Sequence, residues 1–276
     1  MNAATAVPSF VGRFVRHYLL ALQFFTRVPV TGRLAAWVGF SPAMLRASAA
    51  HFPGVGWIAA AVACAVAAAG LHAWPGQTFG PLVAAALCTA ATVWLTGGFH
   101  EDGLADVADG LGGSADRARA LQIMKDSRLG AYGAMALVLA LLTKVALLAL
   151  LGAHSPAAML AALCGGHVFS RWCPLVLVRT LAHVGDTAQS KSKPLADQIT
   201  NTALAVAAMW CVLPLALVAC LQPAAFVATA VASSLLALWW MRRLLARRLQ
   251  GFTGDGLGAT QQLCEIAFYL GAALAL

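Results

Sequence analysis

The run Ala131–Gly152, A-Y-G-A-M-A-L-V-L-A-L-L-T-K-V-A-L-L-A-L-L-G, carries a single charged side chain, Lys144. As a helix it reaches about 33 Å at 1.5 Å per residue, enough to cross a hydrocarbon core of about 30 Å. Five more segments read the same way: Phe52–Trp74, Gly80–Gly98, Ala157–Ala182, Ala203–Leu221 and Ala224–Met241. A shorter one runs from Gln262 to Leu276. Charged residues make up 10% of the chain and the mean hydropathy is +0.80, against roughly 25% charged residues in soluble domains. A very apolar soluble bundle is excluded by the length of these runs. The reading is an all-α polytopic membrane bundle of about six to seven transmembrane helices, forming one membrane-embedded catalytic domain over residues 1–276. Tyr18–Phe25, behind Arg13 and Arg16, is followed by no small-residue cleavage site before Arg27 and reads as a retained interfacial or partly inserted helix.

The net charge of +8 does not indicate nucleic acid, because the basic residues punctuate the apolar segments and no tract interleaves them with aromatics. Threading the spans alternately sorts the charge. Pro75–Phe79, Ala153–Pro156 and Gln222–Pro223 contain no Lys, Arg, Asp or Glu, whereas Phe99–Gly130, His183–Thr202 and Arg242–Gln261 hold nearly all that remains. Positive charge marks the cytoplasmic side. The polar loops, and any chemistry on them, are therefore expected at the cytoplasmic face. The seven cysteines form no C-x-x-C pair, so they read as packing residues rather than a zinc or redox site.

Six of the ten acidic residues fall between Glu101 and Asp126. In H-E-D-G-L-A-D-V-A-D-G, Asp102, Asp106 and Asp109 are spaced i, i+4, i+7 and share a ~60° sector of a helix. Carboxylates arrayed so repel one another unless a cation lies between them, and hard oxygen donors suit Mg²⁺ or Mn²⁺. Glu101 is a further ligand or base. His100 reads equally as a base, a ligand or a polar loop residue. In M-K-D-S-R-L-G-A-Y-G, Met124 to Gly133, Lys125 and Arg128 are phosphate-binding or membrane-anchoring cations. Asp126 could add a metal ligand, and Ser127 could cap a helix. G-F-T-G-D-G-L-G-A-T, Gly251 to Thr260, offers Thr253, Gly254 and Asp255 in a glycine-rich loop that could form an anion nest. Intramembrane charges are costly. Arg171 is a candidate for a substrate phosphate, while Lys144 either does likewise or snorkels or pairs structurally. Together these are the parts of metal-assisted phosphoryl or nucleotidyl transfer.

The two motifs at residues 96–113 and 124–133, with F-F-T-R-V-P-V, H-F-P-G-V-G and G-F-T-G-D-G-L-G-A elsewhere in the chain, resemble the cobalamin synthase family, the adenosylcobinamide-GDP ribazoletransferases. Gly256 is one small departure. The resemblance covers nearly the whole chain. It implies a Mg²⁺-dependent enzyme of the bacterial cytoplasmic (inner) membrane acting on adenosylcobinamide-GDP and α-ribazole or its 5′-phosphate. The products would be adenosylcobalamin or its 5′-phosphate, and GMP. In that reading Glu101, Asp102, Asp106 and Asp109 hold metal and do the chemistry. Lys125, Arg128 and Arg171 neutralise phosphate, and membrane lipid surrounds the helices. A homo-oligomer is left open. A CDP-alcohol phosphotransferase is disfavoured because Asp106 stands where its pattern requires Arg. A transporter is disfavoured because the polar residues lie in loops on one face rather than near the midplane.

Overall fold

A computed structural model describes residues 9–185 and 199–276; most of the His183–Thr202 connection lies outside the described residues. Among the described residues the chain forms twelve α-helices. They are α1 (Phe10–Phe25), α2 (Gly32–Val38), α3 (Pro42–Ser48), α4 (Phe52–Ala73), α5 (Gly80–Thr96), α6 (Phe99–Gly113), α7 (Arg117–Ile123), α8 (Ala131–His154), α9 (Pro156–Thr180), α10 (Asn201–Leu221), α11 (Ala224–Arg248) and α12 (Gly254–Ala273).

Local chemistry sets several of the boundaries. Pro53, Pro81 and Pro156 stand in the first turns of α4, α5 and α9, where a missing N–H costs nothing. Ser155, Thr200 and Thr253 cap α9, α10 and α12 by accepting a backbone N–H three residues on. Among the described residues, five helical segments are long and apolar enough to cross a membrane: Pro42–Ala73, Ala131–His154, Pro156–Thr180, Asn201–Leu221 and Ala224–Arg248. A sixth appears if the bent pair α5–α6 counts as one span.

The expected short seventh span is instead most of α12, which starts eight residues earlier, at Gly254. It packs against α6, α8, α9 and α11 and buries Thr260, Gln261, Gln262 and Glu265. Helices α8 and α10 lie outside, exposing Leu139, Leu142, Met209 and Val212, as a lipid-facing surface should.

The described parts of the charged connections meet at one end of the bundle, as the charge pattern requires. Arg117 Nε donates to the Leu249 carbonyl at 2.7 Å, and Arg248 Nη2 donates to the carbonyls of Leu111 and Ser114 at 3.1 and 2.6 Å. Arg179 Nε donates to Asn201 Oδ1 at 2.7 Å, and Arg242 Nε to Thr180 Oγ1 at 3.0 Å. The segment after α9 pairs with the segment before α12, through Phe252 N to Ala182 O and Val184 N to Phe252 O, both 2.9 Å. Part of the basic character of these connections thus ties the loops together.

The sharpest feature at this end is the 89° turn between α5 and α6. Gly97 and Gly98 make it, with φ of +70° and +71°. A side chain in this region costs roughly 1–2 kcal/mol, and a β-branched one costs most. At Gly98 a Cβ would meet nothing within 4 Å, so the penalty there is backbone strain alone. Gly98→Val is therefore expected to lower stability by about 1–2 kcal/mol, and Gly98→Asn by distinctly less. Thermal unfolding in detergent of the two variants checks this ranking.

Candidate active site

Helix α6 starts directly after the glycine turn, so Glu101 and Asp102 occupy its first turn, where exposed N–H groups favour negative charge. Asp102 is exposed, Asp106 half-buried, and Glu101 and Asp109 buried. The first turn of α12 lies against this face. A Cβ on Gly103 would stand 2.7 Å from the Asp255 carbonyl, and one on Gly258 3.3 Å from His100 Cα. These glycines let two backbones approach and bring Asp255 beside Asp102 and Asp106. Burial, then the neighbouring Asp255, Asp102 and Asp109, push the Asp106 carboxyl up to about 7. Burial and Asp102 push Asp255 up to about 6. The same crowding that disfavours bare carboxylates favours a hard cation among them. Among the described residues no three His, Cys, Asp or Glu side chains close around one point. The fit to a cation therefore rests on the all-oxygen donor chemistry and this mutual repulsion.

Asp109 is engaged differently. Its two oxygens accept backbone N–H groups from Gly130 and Gly133, at 2.7 and 2.8 Å, so it caps the N-terminus of α8. Its carboxylate occupies the space that a side chain at Gly130 or Gly133 would need. That explains why the second motif carries glycine at both positions. The spacing in α6 is as expected, but the third carboxylate, expected as a metal ligand, holds a helix end. Ser127 caps no helix, since Gly130 precedes α8 with no side-chain cap of its own.

Lys125 is exposed on the α7–α8 connection. Asp126 pairs with Arg128 two residues away, Arg128 Nε to Oδ1 at 2.9 Å and Nη2 to Oδ2 at 2.5 Å. The hydrogen bonds from Arg128 hold the Asp126 carboxyl down to about 2. The pair lines a surface cleft together with Asp109 and Tyr132, away from Asp255. The glycine-rich segment is not a nest. From Gly254 it is helical, none of its glycines has positive φ, and the Thr253 hydroxyl accepts from Gly256 N at 3.1 Å. Its glycines serve the approach of α12 to α6.

Two groupings at the site were not visible as such in the sequence. Arg27, in the F-F-T-R-V-P-V stretch, is exposed and lines a cleft with Glu101, Asp102 and Gly98. Its backbone N–H donates to the Leu95 carbonyl at 2.7 Å, fixing it at the glycine turn. The second group is a buried polar chain. Gln262 Nε2 donates to Glu101 Oε1 at 3.0 Å and to Gln261 Oε1 at 2.9 Å. Gln261 Nε2 donates to Ser170 Oγ at 2.9 Å and Glu265 Oε2 at 2.6 Å. Glu265 then takes the Lys144 ammonium at 2.5 Å, the Tyr269 hydroxyl at 3.0 Å and His167 Nδ1 at 3.3 Å. Lys144 is thus a structural pair, the alternative that the sequence left open. Polar residues at 261, 262 and 265 inside an apolar segment, matched to an intramembrane lysine, were the available signal.

Helices wrapped around a buried polar chain, five or six of them long and apolar enough to cross a membrane among the described residues, with carboxylates from α6 and α12 crowded at one end, define a polytopic membrane protein. The comparisons with known proteins agree. The chain matches the cobalamin-5-phosphate synthase family over residues 17–273. It is 62% identical to the adenosylcobinamide-GDP ribazoletransferase of Polaromonas naphthalenivorans, across 96% of this chain and 99% of that protein. It is 48% identical to that of Leptothrix cholodnii (93% and 94%) and 40% identical to one from Vibrio cholerae (92% and 91%). The chain belongs to the cobalamin-5-phosphate synthase family. No solved structure matches it.

Removing one partner of a buried ion pair costs on the order of 3–5 kcal/mol, because the other charge is left uncompensated. Lys144→Met alone is expected to destabilise the protein by about that much. The double variant Lys144→Met with Glu265→Gln is expected to recover most of the loss. A double-mutant cycle on unfolding in detergent reads the difference.

Proposed function

We propose that this chain joins adenosylcobinamide-GDP to α-ribazole or its 5′-phosphate at the cytoplasmic face of the bacterial inner membrane, releasing GMP. The hydroxyl of the ribazole ribose attacks the cobinamide-linked phosphorus. A P–O bond forms to it, the bond to the bridging oxygen breaks, and GMP leaves with that oxygen. The observation that carries this reading is the crowding of Asp102, Asp106 and Asp255, from two helices, beside a cleft bearing an exposed Arg27.

Asp102, Asp106 and Asp255 would hold Mg²⁺, which when bound supplies charge neutralisation at the pyrophosphate. Arg27 reaches the cleft as a guanidinium suited to bidentate phosphate binding. Glu101 Oε1 is held by Gln262, while Oε2 is buried without a partner. That free oxygen accepts the proton of the attacking hydroxyl. Lys125 and Arg128 serve the rim, where exposed cations attract a polyanionic substrate over distance. Asp109 acts on the reaction only by holding α8 against α6.

The test uses purified protein in lipid nanodiscs with adenosylcobinamide-GDP, α-ribazole and controlled Mg²⁺. GMP release is expected only with all three. Asp102→Asn, Asp106→Asn and Glu101→Gln are each expected to reduce it by about 10²–10³, the range for loss of one group that stabilises developing charge. Metal-independent release, or full activity in the aspartate variants, would contradict the site.

A further inference from the structure

The first hundred residues contain no Asp or Glu. Their five arginines, Arg13, Arg16, Arg27, Arg33 and Arg46, all precede Ala47, and the next Lys, Arg, Asp or Glu is Glu101. Arg46 lies near the start of the helical segment Pro42–Ala73, which is 32 residues long. At 1.5 Å per residue that is about 48 Å, well beyond a hydrocarbon core of about 30 Å. The surplus falls at the Arg46 end, since a charge within the core is costly. Helix α1 packs on α3 and on the first turn of α4, where the Tyr18 hydroxyl donates to the Gly54 carbonyl at 3.3 Å. Helices α1 and α2 therefore sit at headgroup depth, beside the start of the span.

The first half of α1 is two-faced. At 100° per residue, Phe10, Val11 and Val15 share a ~140° sector, and Arg13 and Arg16 lie together on the opposite side. All but Arg16 are exposed, Phe10 by 76%. Arg16 Nε donates to the Val38 carbonyl at 2.8 Å, which ties α1 to α2. On α2 and just beyond it, Arg33, Leu34, Trp37 and Phe40 are exposed. Burial, then Arg16 and Arg13, hold the His17 imidazole below its ordinary value, as a positive local field does. These arginines differ from Arg171, which is buried in α9 with Nη1 donating to the His167 carbonyl at 2.7 Å.

We propose that α1 and α2 form an interfacial layer that binds anionic phospholipid headgroups. Arg13 and Arg33 pair with lipid phosphates, and Phe10, Val11, Trp37 and Phe40 enter the boundary with the acyl chains. An amphipathic helix with arginine on its polar face and aromatic and aliphatic residues on the other lies in a membrane surface in this way. The absence of any carboxylate in this part of the sequence gives the layer its selectivity, because a net-neutral leaflet offers no compensating charge and an anionic one does. An acidic soluble protein would match the arginines but not the exposed rings. The far end of α1 reaches the site. Phe24 meets Phe99 edge-on with centroids 5.9 Å apart, and Phe25 lies nearly parallel to His100 at 6.1 Å. Arg27 follows two residues later, so lipid held by the first half of α1 steadies the arm that carries Arg27 to the cleft.

The experiment compares amide hydrogen exchange in nanodiscs holding one chain, made of phosphatidylcholine alone or of an equal mixture with phosphatidylglycerol. Over residues 13–18 and 35–38 of the native chain, exchange is expected to be at least about fivefold slower in the mixture, the effect of about one arginine at an anionic surface. Residues 165–175, inside α9, serve as the control and are expected to exchange alike in both. In the double variant Arg13→Gln with Arg33→Gln the difference is expected to shrink to within about twofold. Both side chains are exposed, so the fold tolerates their loss. Equal exchange of the native chain in the two lipids overturns the proposal and needs no variant. A difference that survives the double variant also overturns it, because the lipid then acts elsewhere. Protection that ignores lipid charge and appears only in discs holding two chains overturns it in favour of a second copy on this face. None of these readouts involves GMP release, so they stand apart from the transferase reading.

Discussion

The polar end of this molecule depends on two adjacent residues in left-handed backbone. Gly97 and Gly98 turn the chain through 89°, so the acidic helix leaves the direction of the apolar span before it and lies across the bundle end. Without that turn the carboxylates of α6 would continue a membrane-spanning helix, where each would carry a heavy desolvation cost. With it, they face the first turn of α12, and two further glycines, Gly103 and Gly258, allow the backbones to touch. Chain permissiveness at four positions thus decides where charge can be concentrated.

The interior solves a related problem by other means. A membrane bundle gains little from apolar contact between helices, so small residues and polar partners hold it together. Here the polar partners form one chain, from Glu101 through Gln262, Gln261 and Glu265 to Lys144, Tyr269 and His167. Each member constrains the next. The acidic end is therefore anchored in the middle of the bundle, and Glu101 is held in one orientation by a residue on another helix. A buried network of this kind fixes geometry more than it adds stability.

Much of this was legible in the sequence, for reasons that differ by element. The spans at α4, α8, α9, α10 and α11 were visible because long apolar runs bounded by Pro, Gly or a capping Ser or Thr leave little freedom. The charge segregation gave the shared loop end for the same reason. The start of α12 was missed because G-D-G-L-G has poor helix propensity, and only packing against α6 makes those glycines useful in a helix. Asp109 matched the helical spacing of its neighbours, yet its partners Gly130 and Gly133 lie on another helix, and no local pattern encodes that. Arg27 read as a topology signal because its nearness to Glu101 and Asp102 is purely tertiary. The role of Lys144 waited on Glu265, a carboxylate hidden in a segment read only for its apolar length.

The central claim is that the cation site is built between α6 and α12, by Asp102, Asp106 and Asp255, and not by the carboxylates of α6 alone. Manganese binding followed by electron paramagnetic resonance on the protein in nanodiscs tests it most directly. The account predicts one bound ion in the native chain, lost in Asp255→Asn and retained in Asp109→Asn. Loss in Asp109→Asn with full retention in Asp255→Asn would contradict it.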